Sequence, residues 1–118
     1  MTETQIQDFI SSHVARNSDL YRLFMDKKAD LTEARLIECH FWTWSKTDAE
    51  ALARELERRG FDILRSNSAA SSEDPHLWNL EAIVKQSISL TVRREFTEEL
   101  VRLADLHGGR YDGWGTSI

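Results

Sequence analysis

An α+β fold is what this sequence predicts, on three observations. From residue 34 onward, segments that alternate apolar and polar residues take turns with segments whose apolar residues recur every three or four positions, the periods of half-buried strands and of amphipathic helices. The order is strand, helix, strand, strand, helix, strand. Before residue 30 the apolar residues recur at helical spacing only. The last eleven residues hold four glycines within eight positions, Gly108, Gly109, Gly113 and Gly115, which is too costly in unfolded-state entropy for a casual tail.

Each element follows from its own residues. Ile6, Phe9, Ile10 and Val14 form one apolar stripe, and Thr4 with Gln7 fits a capping box at its start. A polar break at Arg16-Asn17-Ser18-Asp19 precedes Leu20, Leu23 and Phe24; it marks either a second short helix or a kink. Residues 34–44 read as the first strand, with Ile37, Cys39 and Phe41 on one face and Glu38, His40 and Trp42 on the other. Thr47 and Glu50 make a capping box for the next helix, whose buried stripe is Ala49, Leu52, Ala53 and Leu56. Gly60 stops it, and Phe61 folds back on the last turn.

Residues 61–65 are a short strand, and the serine-rich 66–75 is a loop with nothing to bury. The third strand, 77–87, has Trp78, Leu80, Ala82 and Val84 on one face and Asn79, Glu81, Ile83 and Lys85 on the other. Val92, Phe96, Leu100 and Leu103 mark a helix over 91–107, which Gly108 and Gly109 end. A closing strand follows, in which Gly113 and Gly115 remove side chains where a neighbour comes close. Two right-handed strand–helix–strand crossovers joined by a central hairpin predict a ferredoxin-like βαββαβ domain. It is a four-stranded sheet with two helices on one face, occupying residues 31–118 after an N-terminal helical segment, 1–30.

Composition narrows the function. The chain has 118 residues, 41% of them hydrophobic and 30% charged, with a formal net charge of −5. No apolar run approaches the ~18 residues of a membrane span, so no membrane role is expected. The start, Met1-Thr2-Glu3-Thr4-Gln5, lacks the basic and apolar regions of a secretory signal, so a cytoplasmic location is expected. The single cysteine, Cys39, excludes an internal disulfide framework. His13, His40, His76 and His107 have no metal-ligand spacing, so neither a metal nor a cofactor is expected. Cys39 and His40 are adjacent in a strand and point to opposite faces, which rules out their pairing as nucleophile and base. Glu38, Glu81 and Asp112 could converge on the outer face as an acid–base set, but polar residues on a solvated strand face explain them as well, and no oxyanion device accompanies them. With no phosphate loop, dinucleotide fingerprint or nucleophile elbow, the expectation is a protein that is not an enzyme.

The sheet face away from the helices is therefore the candidate site. Strict alternation sends Glu38, His40 and Trp42 outward from the first strand. In the last strand it sends Tyr111 and Gly113 inward and Asp112 and Trp114 outward, beside Trp42. Two tryptophans, a histidine and carboxylates compose an interaction surface. The competing arrangement lays the N-terminal helix across this face, with Trp42 and Trp114 as its floor.

The run Tyr111-Asp112-Gly113-Trp114-Gly115-Thr116, preceded by Ala104-Asp105-Leu106-His107-Gly108-Gly109, resembles the closing motif of the regulator of ribonuclease activity B family, protein inhibitors of ribonuclease E. Residues 51–61 give a second, weaker match, and the order of elements from about residue 34 to 118 is similar. The resemblance implies the same fold and a small cytoplasmic protein that binds a ribonuclease and lowers its activity by occupancy. Better-known members run on past the motif into an acidic tail, whereas this sequence ends at Ile118. The second-ranked partner is RNA, stacked on exposed aromatics with Arg35, Lys85 and Arg110 at phosphates, against which the acidic net charge stands. A third reading is an adaptor or immunity protein with one narrow protein partner. Phe9, Tyr21 and Phe24 leave a different partner, or a dimer, open.

Overall fold

The computed structural model describes residues 1–68 and 77–117. The elements are α1 (Glu3–Asp26), β1 (Arg35–Thr43), α2 (Lys46–Arg58), β2 (Asp62–Ser68), β3 (Trp78–Gln86), a one-turn α3 (Ile88–Thr91), α4 (Arg94–Leu106) and β4 (Gly109–Gly115). The fold is α+β, an N-terminal helix on a four-stranded sheet of order β2-β3-β1-β4 in which every neighbouring pair is antiparallel. Strands β1 and β3 are central. Among the described residues, no helix is long and apolar enough to cross a membrane.

Helix α1 is continuous over 24 residues, so the polar run at 16–19 is not a break. Asn17, in the middle of that run, is buried because it has two partners far away in sequence. Its Nδ2 donates to Thr97 Oγ1 at 3.0 Å and its Oδ1 accepts from Trp114 Nε1 at 2.8 Å. The capping box is Thr2 with Gln5, one turn-start earlier than the expected Thr4. Similarly Ser45, not Thr47, caps α2 through Asp48 N at 3.1 Å. At the other end of α2, Phe61 N donates to Leu56 O and Gly60 N to Glu57 O, which completes the expected Schellman closure.

The helix expected over 91–107 is α4, which begins at Arg94, and a separate one-turn α3 capped by Ser87 precedes it. Strand β2 runs through Ser68, so the serine-rich loop starts later than expected, and from residue 69 it lies outside the described residues.

The core lies between the sheet and the helices. Ile37, Cys39, Phe41, Leu80 and Ala82 of the sheet meet Leu52, Leu56, Leu100 and Ala104 of the helices. Helix α1 joins this same core through Ile6, Ile10 and Phe24, running along α4 and over β4. An aromatic chain ties it in: Phe9, His13, Tyr111 and Phe41 have successive ring centroids 4.8, 5.0 and 5.3 Å apart. Trp114 stacks on Phe24 at 5.9 Å.

Strand β4 carries the decisive irregularity. Tyr111 pairs with Phe41, but Gly113 pairs with His40 and Trp114 with Cys39, so one extra residue is inserted at Asp112. The bulge needs φ of +109° at Gly113, a region that side-chain-bearing residues avoid. It resets the alternation and turns Trp114 inward, where it is 5% exposed. Gly109, expected only as part of the helix stop, makes a close approach of its own, since a Cβ there would collide with the Trp42 carbonyl oxygen. At Gly113 the neighbour is Arg16. Gly115 has nothing within 4 Å of where a Cβ would be, so the close approach expected there does not occur.

Two outcomes follow. Trp114→Ala is expected to lower unfolding free energy by about 3–5 kcal/mol in chemical denaturation, through the lost packing and the orphaned Asn17 oxygen, whereas Trp42→Ala leaves stability nearly unchanged. The second concerns His13, whose Nε2–H donates to the Tyr111 carbonyl at 3.1 Å. Burial holds its pKa below the ordinary 6.5; the bond to Tyr111 and the nearby Asp112 pull it up in smaller measure, and Arg16 pulls it down. On acidification the unfolded chain therefore takes up this proton first. The stability His13 contributes is present above pH 6.5 and is lost as pH falls toward its folded-state value. Denaturation midpoints measured between about pH 7.5 and about pH 5 should fall less steeply in His13→Phe than in the parent.

Candidate functional site

The outer face of the sheet is uncovered by any described element, because α1 packs on the same side as α2 and α4. Along β1 this face presents Leu36, Glu38, His40 and Trp42, and β3 sets Lys85, Ile83, Glu81 and Asn79 directly across from them in that order. Strand β4 sets Arg110 beside Trp42, Gly113 beside His40 and Gly115 beside Glu38. The face is thus a ladder of four rungs, aromatic at one end, charged in the middle and mixed toward the other.

At the aromatic end Trp42 and Trp44 meet edge to face, with ring centroids 4.9 Å apart and planes at 82°. The Arg110 guanidinium lies 6.0 Å from the Trp42 ring centroid, within cation–π reach. Arg110 is held there by Asp105 at 3.3 Å and by the Gly109 carbonyl at 2.7 Å. Trp44 is 55% exposed, a large rigid apolar surface left in water. Such residues are the usual energetic anchors of a protein interface. In the middle, His40 Nδ1 stands 3.9 Å from Glu81 Oε1, an ion pair when the imidazole is protonated.

The structure brings Glu38, His40 and Trp42 together on this face, as the alternation of β1 predicts. It does not bring Trp114 there. The bulge turns that indole to the helix side, so its expected place beside Trp42 is corrected, and the tryptophan next to Trp42 is Trp44. Asp112 is the inserted residue, exposed at the edge strand, with its carbonyl accepting from Arg16 at 3.4 Å. Glu38 and Glu81 share the face in diagonal positions while Asp112 stands off at the edge. The arrangement of the N-terminal helix across Trp42 is likewise not what occurs; α1 covers Trp114 on the opposite side. Sequence reasoning missed Trp44, although its spacing of two from Trp42 puts both indoles on one side of an extended chain.

The buried groups offer no chemistry to this face. Cys39 points into the core, where loss of solvation pushes its thiol up to about 12, the Tyr111 hydroxyl drawing it back only slightly. Burial also raises the Tyr111 hydroxyl. Among the described residues, no group of three or more His, Cys, Asp or Glu could hold a metal ion.

The model of the family described as Regulator of ribonuclease activity B matches residues 15–116, from the middle of α1 to the end of β4. A protein named Regulator of ribonuclease activity B from Photobacterium profundum is 26% identical over 112 residues, covering 92% of this chain and 83% of its own. One of the same name from Shewanella denitrificans is 21% identical over 107 residues, covering 91% and 83%. With the match running through both the aromatic-bearing β1 and the bulged β4, the chain belongs to the Regulator of ribonuclease activity B family.

Proposed function

We propose that this protein is a non-catalytic regulator, ferredoxin-like in fold, that binds a ribonuclease through the outer face of its sheet and lowers its activity by occupancy. The observation that carries this reading is the bare outer face itself. Among the described residues, the helices, including α1, all pack on one side of the sheet, which leaves Trp44 exposed and Trp42 partly exposed on the other. Burying two indoles against a partner is worth several kcal/mol of binding. The name of the family supports a ribonuclease as the partner. The burial of Cys39 and the strand order β2-β3-β1-β4 support the non-catalytic and ferredoxin-like parts. Glu38, His40 and Trp42 are then the contact residues of β1, with Trp44 and Arg110 at the aromatic end and Asp112 at the edge. Trp114, with Gly108, Gly109, Tyr111, Gly113 and Gly115, serves the scaffold.

A second reading has one observation in its favour: Trp42, Trp44 and Arg110 also suit a stacked, unpaired base with a cation beside it. The two separate in one assay. Purified ribonuclease E cleaving a fluorogenic RNA should slow in the presence of the protein, while the protein alone leaves the oligonucleotide unbound when the nuclease is its target. Inhibition that excess RNA overcomes, together with direct binding of the oligonucleotide, would favour the RNA reading. Trp42→Ala with Trp44→Ala should weaken inhibition by about 30-fold or more while far-ultraviolet circular dichroism stays that of the parent. Equal inhibition by parent and variant, or none by the parent, would contradict the proposal.

A further inference from the structure

The far end of the outer face from the tryptophans holds a recess of about 310 Å³ lined by Leu36, Glu38, Ile83, Thr116 and Ser117. We propose that it is a socket for an arginine side chain of the protein partner, an inference that rests on the outer face being the docking surface. Four observations make it so.

First, Glu38 is half-buried yet makes no ion pair or hydrogen bond among the described residues, whereas Glu81 in the next row meets His40. A carboxylate so placed has its acceptor oxygens open to a charge-assisted partner. Lys85, across from Leu36, is exposed and forms no ion pair with Glu38. Second, the neighbour of Glu38 on β4 is Gly115, and nothing lies within 4 Å of where its Cβ would be. This glycine leaves the approach to the carboxylate open from the β4 side.

Third, the remaining walls suit a long aliphatic stem with a polar head. Leu36, 60% exposed, and Ile83 supply apolar contact, and Thr116 and Ser117 supply oxygens. Arginine fits this mixture better than lysine, because its guanidinium is weakly hydrated and carries several donors in a fixed plane. Fourth, the rim is held in place. Thr116 Oγ1 donates to the Leu36 carbonyl at 2.7 Å, and Arg35 Nη1 donates to the Ser117 carbonyl at 3.2 Å. The chain's net charge of −5 adds a long-range field that draws a cationic segment in.

The test uses no nuclease, so its outcome is separate from that of the inhibition assay. The ¹⁵N-labelled protein is titrated with a blocked Gly-Arg-Gly tripeptide and with the same peptide carrying citrulline, which has arginine's shape without its charge. The arginine peptide should shift the amide signals of Leu36, Glu38, Ile83, Gly115 and Thr116, and citrulline should leave them in place. Glu38→Gln should keep a dispersed, folded spectrum and bind the arginine peptide about tenfold more weakly. Absent shifts at these residues, equal shifts from citrulline, or unchanged affinity in Glu38→Gln would overturn the socket. Slowed cleavage in the nuclease assay alongside a negative titration would remove the socket and leave the docking face standing.

Discussion

A single buried amide holds three elements of this protein to one another. Asn17, inside α1, accepts a hydrogen bond from the Trp114 indole of β4 at 2.8 Å and donates one to Thr97 of α4 at 3.0 Å. All three groups are buried, so each bond satisfies a polar group that would otherwise cost about 1–3 kcal/mol in the core. The geometry is possible only because the bulge at Asp112 turns Trp114 toward the helices. Without that inserted residue, Trp114 would face the other way, the Asn17 amide oxygen would be left without its donor in an apolar seam, and α1 would keep only the His13 and Arg16 contacts as polar ties to β4. The placement of α1 in turn decides which side of the sheet stays bare.

The surface follows from that placement. With α1 beside α4, the outer face keeps its tryptophan pair, its His40–Glu81 pair and the recess at Glu38 open to partners. The ends of the face differ in chemistry: one offers aromatic area with Arg110 already in position, the other an unmatched carboxylate. A partner that presents a large apolar group some distance from a cation along an extended surface would match both ends at once. Such a two-point match fixes orientation as well as affinity, which is how a small non-catalytic protein achieves selectivity.

Much of this was legible before any coordinates. The alternation in β1 and β3 is strong, and it assigned Glu38, His40 and Trp42 to one face and Ile37, Cys39 and Phe41 to the other. The closing glycines marked the helix stop at Gly108 and the close approach at Gly113, without the bulge that Gly113 also permits. What alternation cannot register is an inserted residue, since it counts every position alike; hence Trp114 was assigned to the wrong face. The Asp112-Gly113 dipeptide is a local cue for such an insertion, as Gly accepts the φ that a bulge imposes. Asn17 was opaque for a different reason. A polar residue in a polar run reads as a break, and its two partners lie 80 and 97 positions away in the chain. The cap of α1 moved because Thr2-x-x-Gln5 and Thr4-x-x-Gln7 satisfy the same rule, and only packing of the helix end chooses between them.

Helix α1 seats on Trp114 and not on Trp42, and the open face depends on that choice. Nuclear Overhauser contacts from the four indole N–H protons test it most directly. Contacts are expected from the Trp114 indole proton to the Asn17 side-chain amide and the Phe24 ring, and none from the Trp42 indole proton to any residue of α1. A Trp114 indole that exchanges freely with water, with α1 contacts appearing at Trp42 instead, would contradict it.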